Sequence, residues 1–189
     1  MFTIENLDEI RNKKGFICDM DGVIYHGNRL LPGVKEFVEW LYKEDKKFLF
    51  LTNSSDRSPR DLQQKLQRMG LDIDETHFYT SAQATARFLN SQSPGCSAYV
   101  MGEAGLMNAL YEVGITMNDS TPDYVVIGEP KSYNYEMIIK AVKLIQNGAK
   151  LVAQSRKTVP KTKISTIAER VWYNGMDGGS QPQEGAMYL

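Results

Sequence analysis

A short apolar run that halts on two acids governs how this chain can fold. Gly15-Phe16-Ile17-Cys18 gives way at once to Asp19, Met20, Asp21 and Gly22. Short, apolar and stopped abruptly at Asp19, it reads as a buried strand with acids at its carboxyl end. Lys47 to Thr52 is a second such run and His77-Phe78-Tyr79-Thr80 a third. Between them, Val34, Phe37, Val38 and Leu41 follow Pro32-Gly33 at i, i+3, i+4 and i+7, the stripe of an amphipathic helix. Leu62, Leu66 and Met69 form another stripe, opened by Ser58-Pro59 as N-cap and first-turn proline and stopped by Gly70. Ser81 reads as the cap of a third helix through Ala82, Thr85, Ala86 and Leu89. Strand, helix, strand, helix, strand predicts half of an open parallel α/β sheet.

Asn90 to Gly95 is a loop by composition, and the alternation restarts beyond it. Strands are expected at Ala98 to Met101, near Ile115, at Tyr124 to Ile127 and at Lys150 to Ala153. Helices are expected over Ala104 to Glu112 and around Ile138, Ala141, Val142 and Ile145 before Gly148. From Gln154 to Leu189 the texture changes: Arg156, Lys157, Lys161 and Lys163 cluster, glycines follow, and no periodic element is convincing outside Ile164 to Trp172. That tail is expected to be poorly ordered or wrongly joined to what precedes it.

Charge narrows the partners. Lys and Arg number 22 against 23 Asp and Glu, a formal net charge of −1. That balance argues against nucleic acid or an anionic membrane as a broad partner. No apolar stretch approaches the ~20 residues that span a bilayer. The acids at Glu5, Asp8 and Glu9 are wrong for a signal peptide, so a cytoplasmic location is expected. Cys18 and Cys96 have no CxxC partner or His cluster, which suggests neither a disulfide scaffold nor a zinc site.

Open α/β sheets hold ligands at the carboxyl ends of their strands, so Asp19-Met20-Asp21-Gly22 is the leading candidate site. In an extended chain Asp19 and Asp21 lie on one side and Met20 points away. Gly22 permits a sharp turn whose backbone N–H groups can face an anion. Thr52-Asn53-Ser54-Ser55 brings hydroxyl and amide donors to the same sheet edge, where they suit a phosphate.

These segments, with Leu30-Leu31-Pro32-Gly33, Tyr79-Thr80-Ser81-Ala82 and Val126-Ile127-Gly128-Glu129, resemble the haloacid-dehalogenase superfamily in its NagD-like and nitrophenyl-phosphatase-like branch. The resemblance runs to about Ala153. It implies a Rossmann-like core with an inserted α/β cap: residues 1–81 would be the amino-terminal half of the core, 82–153 a partial cap, and 154–189 an atypical tail. It also implies a Mg²⁺-dependent phosphatase acting on a small phosphorylated metabolite. Asp19 would attack phosphorus and Asp21 would serve as acid and then base. Gly22, Thr52, Asn53 and Ser54 would bind phosphate or substrate, and Asp19 with the Asp21 carbonyl would hold Mg²⁺. A carboxylate about 4 Å from a phosphate dianion is repelled by roughly 8 kcal/mol at an effective dielectric of ~20, which is why a metal is needed.

The family also uses a downstream lysine and a later Gly-Asp…Asp segment. Neither is found: Lys157, Lys161 and Lys163 fall where members are still in the cap, and Gly175-Met176-Asp177-Gly178 lacks a preceding apolar strand. The chain is therefore expected to be an incomplete catalytic half, truncated or frameshifted after about Ala153. A genuine variant that recruits the missing groups from a second subunit, and so a homo-oligomer, is the competing expectation. An unpaired sheet edge beside the first strand would follow from the missing strands. A non-catalytic fold relic that binds a phosphate ligand or a protein is the alternative function. His26, Lys131, Tyr133 and Tyr135 are lesser candidates for substrate contact.

Overall fold

A computed structural model describes residues 4–154 and 187–188. The chain divides into two units, one made of residues up to Thr52 and Pro59–Thr80, the other of Asn53–Ser58 and the chain from Ser81.

The first unit begins with α1 (Ile4–Arg11) and β1 (Gly15–Asp19), then a hairpin of β2 (Tyr25–His26) and β3 (Arg29–Leu30). α2 (Val34–Lys43), β4 (Lys47–Thr52), α3 (Pro59–Arg68), a 3-10 turn at Glu75–His77 and β5 (Phe78–Thr80) follow. Its parallel sheet has the order β1-β4-β5. Phe16 lies opposite Phe48, Cys18 opposite Phe50, and Phe50 opposite Phe78, so the pleat gathers the rings on one face. Val34, Val38 and Leu41 of α2 and Leu62 and Leu66 of α3 join Phe48, Phe50 and Phe78 in one core. Each such fully buried side chain contributes about 1.5–3 kcal/mol.

Three features differ from the sequence reading. β1 is not buried: Ile17 is 71% exposed and Phe16 and Cys18 are only half-buried. Among the described residues β1 pairs with β4 alone, and α2 and α3 both pack on the Phe48–Phe50 face, which leaves the Ile17 face open. α1 is not among the elements read from the sequence, and its Leu7 and Ile10 are exposed. The hairpin strands are two residues long, below the length at which alternation is legible.

The second unit holds α4 (Ser81–Gln92), β6 (Ser97–Met101), α5 (Ala104–Glu112), β7 (Thr116–Met117), β8 (Tyr124–Ile127), α6 (Tyr135–Gln146), β9 (Lys150–Ala153) and β10 (Met187–Tyr188). All are parallel in the order β10-β9-β8-β6-β7. Alternation along β8 sends Tyr124 and Val126 into a cluster with Ala82, Ala86 and Leu89 of α4 and Leu106 and Leu110 of α5. Val125 joins Tyr99, Met101 and the α6 residues Ala141 and Leu144. Both faces are covered, which is why β8 reads as a continuous apolar run. β10 was not expected from the sequence. Lys157, Lys161, Lys163 and the Gly175–Gly179 segment lie outside the described residues, as does the tail apart from Gln154 and β10. No helix among the described residues is long and apolar enough to cross a membrane.

Candidate active site

The carboxylates are set by what happens to Met20. Its side chain is fully buried in the first unit's core, while Asp19 before it and Asp21 after it are exposed. A tight loop closes behind it: the Met20 carbonyl accepts the Ile24 N–H at 2.9 Å and the Tyr25 N–H at 3.3 Å. Ile24 and Tyr25 are buried and anchor the far side. Gly22 adopts φ +81°, the left-handed turn that residue types with a Cβ resist. The Asp19 carboxylate accepts the Met20 N–H at 2.8 Å, which pins its orientation. The Gly22 N–H, expected to face an anion, donates instead to the Tyr25 carbonyl at 2.8 Å. Gly22 therefore shapes the turn rather than offering a free donor.

Thr52 ends β4 and is buried, opposite Thr80. Because β1 and β4 are parallel, with Asp19 opposite Leu51, Thr52 and the acids lie at one sheet edge. Asn53 and Ser54 follow directly in the chain but belong by their contacts to the second unit. There the Asn53 carbonyl accepts the Ser81 hydroxyl at 2.8 Å, and the Ser54 hydroxyl accepts the Asp56 N–H at 3.5 Å. Ser81, expected as a helix cap, uses its hydroxyl to hold Asn53. Ser55 is fully buried and its hydroxyl accepts the Glu129 N–H at 3.4 Å. Sequence reasoning noted Ser55 only as one donor among several, because its partner lies 74 positions away.

The lesser candidates divide. His26 is exposed on the hairpin. Lys131 donates its N–H to Glu103 at 2.7 Å, and its ammonium lies 3.8 Å from both Asp56 and Glu103, so it is tied into an ion-pair group. Tyr133 and Tyr135 are exposed. No group of three or more His, Cys, Asp or Glu suited to a metal occurs among the described residues. Asp19 and Asp21 do supply two hard, exposed oxygen donors at one strand end, a set that suits Mg²⁺, which takes one or two carboxylates and completes its shell with water and substrate phosphate.

A family model described as haloacid dehalogenase-like hydrolase matches residues 16–116. The chain is 41% identical over 145 residues to ribonucleotide monophosphatase NagD of Escherichia coli (strain K12), covering 77% of this chain and 58% of that protein. A solved 4-nitrophenylphosphatase from Thermotoga maritima superposes with TM-score 0.75 at 32% identity, over 82% of this chain and 59% of that one. Glycerol phosphate phosphatase from Mycobacterium tuberculosis, solved in complex with magnesium, superposes with TM-score 0.73 at 25% identity, over 87% of this chain and 52% of that one. A parallel α/β fold whose first strand ends in two exposed acids fits these matches, and the chain belongs to the haloacid dehalogenase-like hydrolases, in the branch of NagD and the nitrophenyl phosphatases. It spans less than two thirds of the length of each of these relatives.

Proposed function

We propose that this chain carries the nucleophile-bearing part of a Mg²⁺-dependent phosphatase that hydrolyses a small phosphomonoester through an aspartyl-phosphate. The observation that carries the reading is the pair of exposed carboxylates flanking buried Met20 at the end of β1, in a chain of this family. The Asp19 carboxylate attacks phosphorus while the bond from phosphorus to the leaving oxygen breaks. Asp21, protonated, gives that oxygen its proton and then takes one from water. The water oxygen attacks phosphorus, the bond to Asp19 breaks, and inorganic phosphate leaves. Thr52, Asn53 and Ser54 orient substrate and phosphoryl oxygens, and Gly22 supplies the turn that presents Asp21. Asp19 and the Asp21 carbonyl would hold Mg²⁺, which when bound neutralises charge between carboxylate and phosphate.

In the same reading residues 1–81 serve as the catalytic core and 82–153 as the inserted cap. Both cysteines are free, in keeping with a reducing cytoplasm. Self-association through the edge of β1 that no strand among the described residues pairs with belongs to this reading and is tested by sedimentation of the purified chain.

The decisive experiment compares the chain with Asp19→Asn on p-nitrophenyl phosphate, with Mg²⁺ and with chelator. Turnover that needs Mg²⁺ and disappears in the variant is expected. Turnover that survives the substitution overturns the nucleophile assignment. Phosphate binding without turnover in the unaltered chain replaces the enzyme with a phosphate-binding module.

A further inference from the structure

The crevice where the second unit would be expected to take a ligand is filled by the chain itself. β7 and β8 lie on opposite sides of β6, so the strand order reverses between β6 and β8. In an open α/β sheet that reversal opens a crevice at the carboxyl strand ends. Ser55, Asp56 and Arg57 of the 53–58 loop lie against it. Ser55 is buried there, bonded to the Glu129 N–H just beyond β8. The Asp56 carbonyl accepts the Gly105 N–H at 3.3 Å in the first turn of α5. That helix has no side-chain cap of its own: Glu103 stands at its N-cap position without such a bond, and its carboxylate is spent on Lys131. The loop therefore caps α5 from a distance, satisfying an N–H that the helix leaves orphaned.

Two glycines make the room. A Cβ on Gly105 would lie 2.7 Å from the Arg57 backbone nitrogen and carbonyl carbon and 2.8 Å from the Asp56 carbonyl carbon. A Cβ on Gly128 would lie 3.2 Å from the Ser55 hydroxyl oxygen and 2.7 Å from Leu106. A second tether acts at the loop's start. The Gln154 amide donates to the Ser81 carbonyl at 2.9 Å and to the Thr85 hydroxyl at 2.6 Å, and the Ser81 hydroxyl holds the Asn53 carbonyl.

We propose that Ser55, Gly105 and Gly128 are positioning residues that seat the 53–58 loop and thereby place Asn53 and Ser54 for phosphate binding. The proposal rests on the phosphatase reading above for the role of Asn53 and Ser54, whereas the seating of the loop does not. Gly105→Ala separates the alternatives by sign. Alanine is the better helix former, so on an unencumbered helix it is neutral or stabilising; against a seated loop it must push backbone aside. Ser55→Ala is the milder companion, since it removes the hydroxyl and keeps the packing.

The experiment reads amide hydrogen exchange at Gly105 and Glu129, the melting temperature, and the affinity of the full chain for inorganic phosphate with Mg²⁺. Phosphatase kcat and KM on p-nitrophenyl phosphate are measured alongside. In both variants exchange at the reporter amide should quicken and phosphate affinity weaken by about tenfold, the scale of one lost hydrogen bond, and Gly105→Ala should lower rather than raise the melting temperature. kcat should fall more than KM rises. Unchanged exchange in Gly105→Ala overturns the seating. Faster exchange with unaltered phosphate affinity and kcat overturns the positioning role. A parent chain that protects both amides yet neither binds phosphate nor turns over rejects the phosphatase reading, and the positioning role falls with it.

Discussion

Replacing Ile17 by alanine should cost the first unit little, and the size of the effect follows from its position. Full burial of such a side chain contributes about 1.5–3 kcal/mol. Ile17 is 71% exposed, so roughly 0.4–0.9 kcal/mol of that is at stake. Loss of a β-branched residue from a strand with one neighbour among the described residues adds up to about 1 kcal/mol. The sum stays below about 2 kcal/mol. Phe50 on the neighbouring strand is the contrast. It is fully buried, with ring centroids 5.4 Å from Phe48 and 6.0 Å from Phe78, and Phe50→Ala should cost about 3–5 kcal/mol through the cavity it leaves. Both are read by hydrogen exchange on the peptide covering Pro59–Arg68 as urea is raised, which isolates the opening of this unit. A cost of 3 kcal/mol or more for Ile17→Ala would refute the reasoning, because it would mean that the second face of the sheet is covered in solution.

Gly22→Ala should destabilise the turn by about 1–2 kcal/mol, a purely conformational cost, since φ is +81° and nothing lies within 4 Å of the added Cβ. Calorimetry showing no loss would contradict the left-handed turn. Asp123 accepts the Ser97 N–H at 2.7 Å and the Ser97 hydroxyl at 2.8 Å, and these bonds, the backbone one foremost, hold its carboxyl below the usual range. A depressed carboxylate stabilises the fold above its unfolded pKa, and that contribution is lost as pH falls through the folded value. Ser97→Ala should therefore raise the Asp123 pKa only part of the way, as read by carboxyl NMR titration. A full return to the ordinary value would show that the backbone bond is not the main cause.

The legible parts of this chain were those whose information is local. β4, β8, β9 and α5 form over the residues that their apolar runs and stripes mark out. Strand pleating predicts that Met20 turns away from its acidic neighbours, and it is buried while Asp19 and Asp21 are exposed. The relation of the chain to its family could also be read from short motifs in order. α1, only eight residues long, and the β2–β3 hairpin, whose strands have two residues each, are too short for periodicity to mark them.

Burial and long-range contact are another matter. Phe16 to Cys18 has the composition of a covered strand, yet whether it is covered depends on which face the helices choose and on which strand comes next. The Gly22 N–H looked free because the sequence does not reveal that the chain folds back to the Tyr25 carbonyl. Ser55 and Gly128 stand within recognisable motifs, but nothing in those motifs says that they meet, and Gly105 and Gln154 carry no motif; the contacts of these residues join positions as far as 74 apart. Periodicity and turn chemistry record the preferences of neighbouring residues, and so they set out the strands, the helices and the acids at a strand's end. The filling of the crevice between β6 and β8 arises only when the β4 loop and the strand ends meet, an outcome of packing that no local pattern encodes.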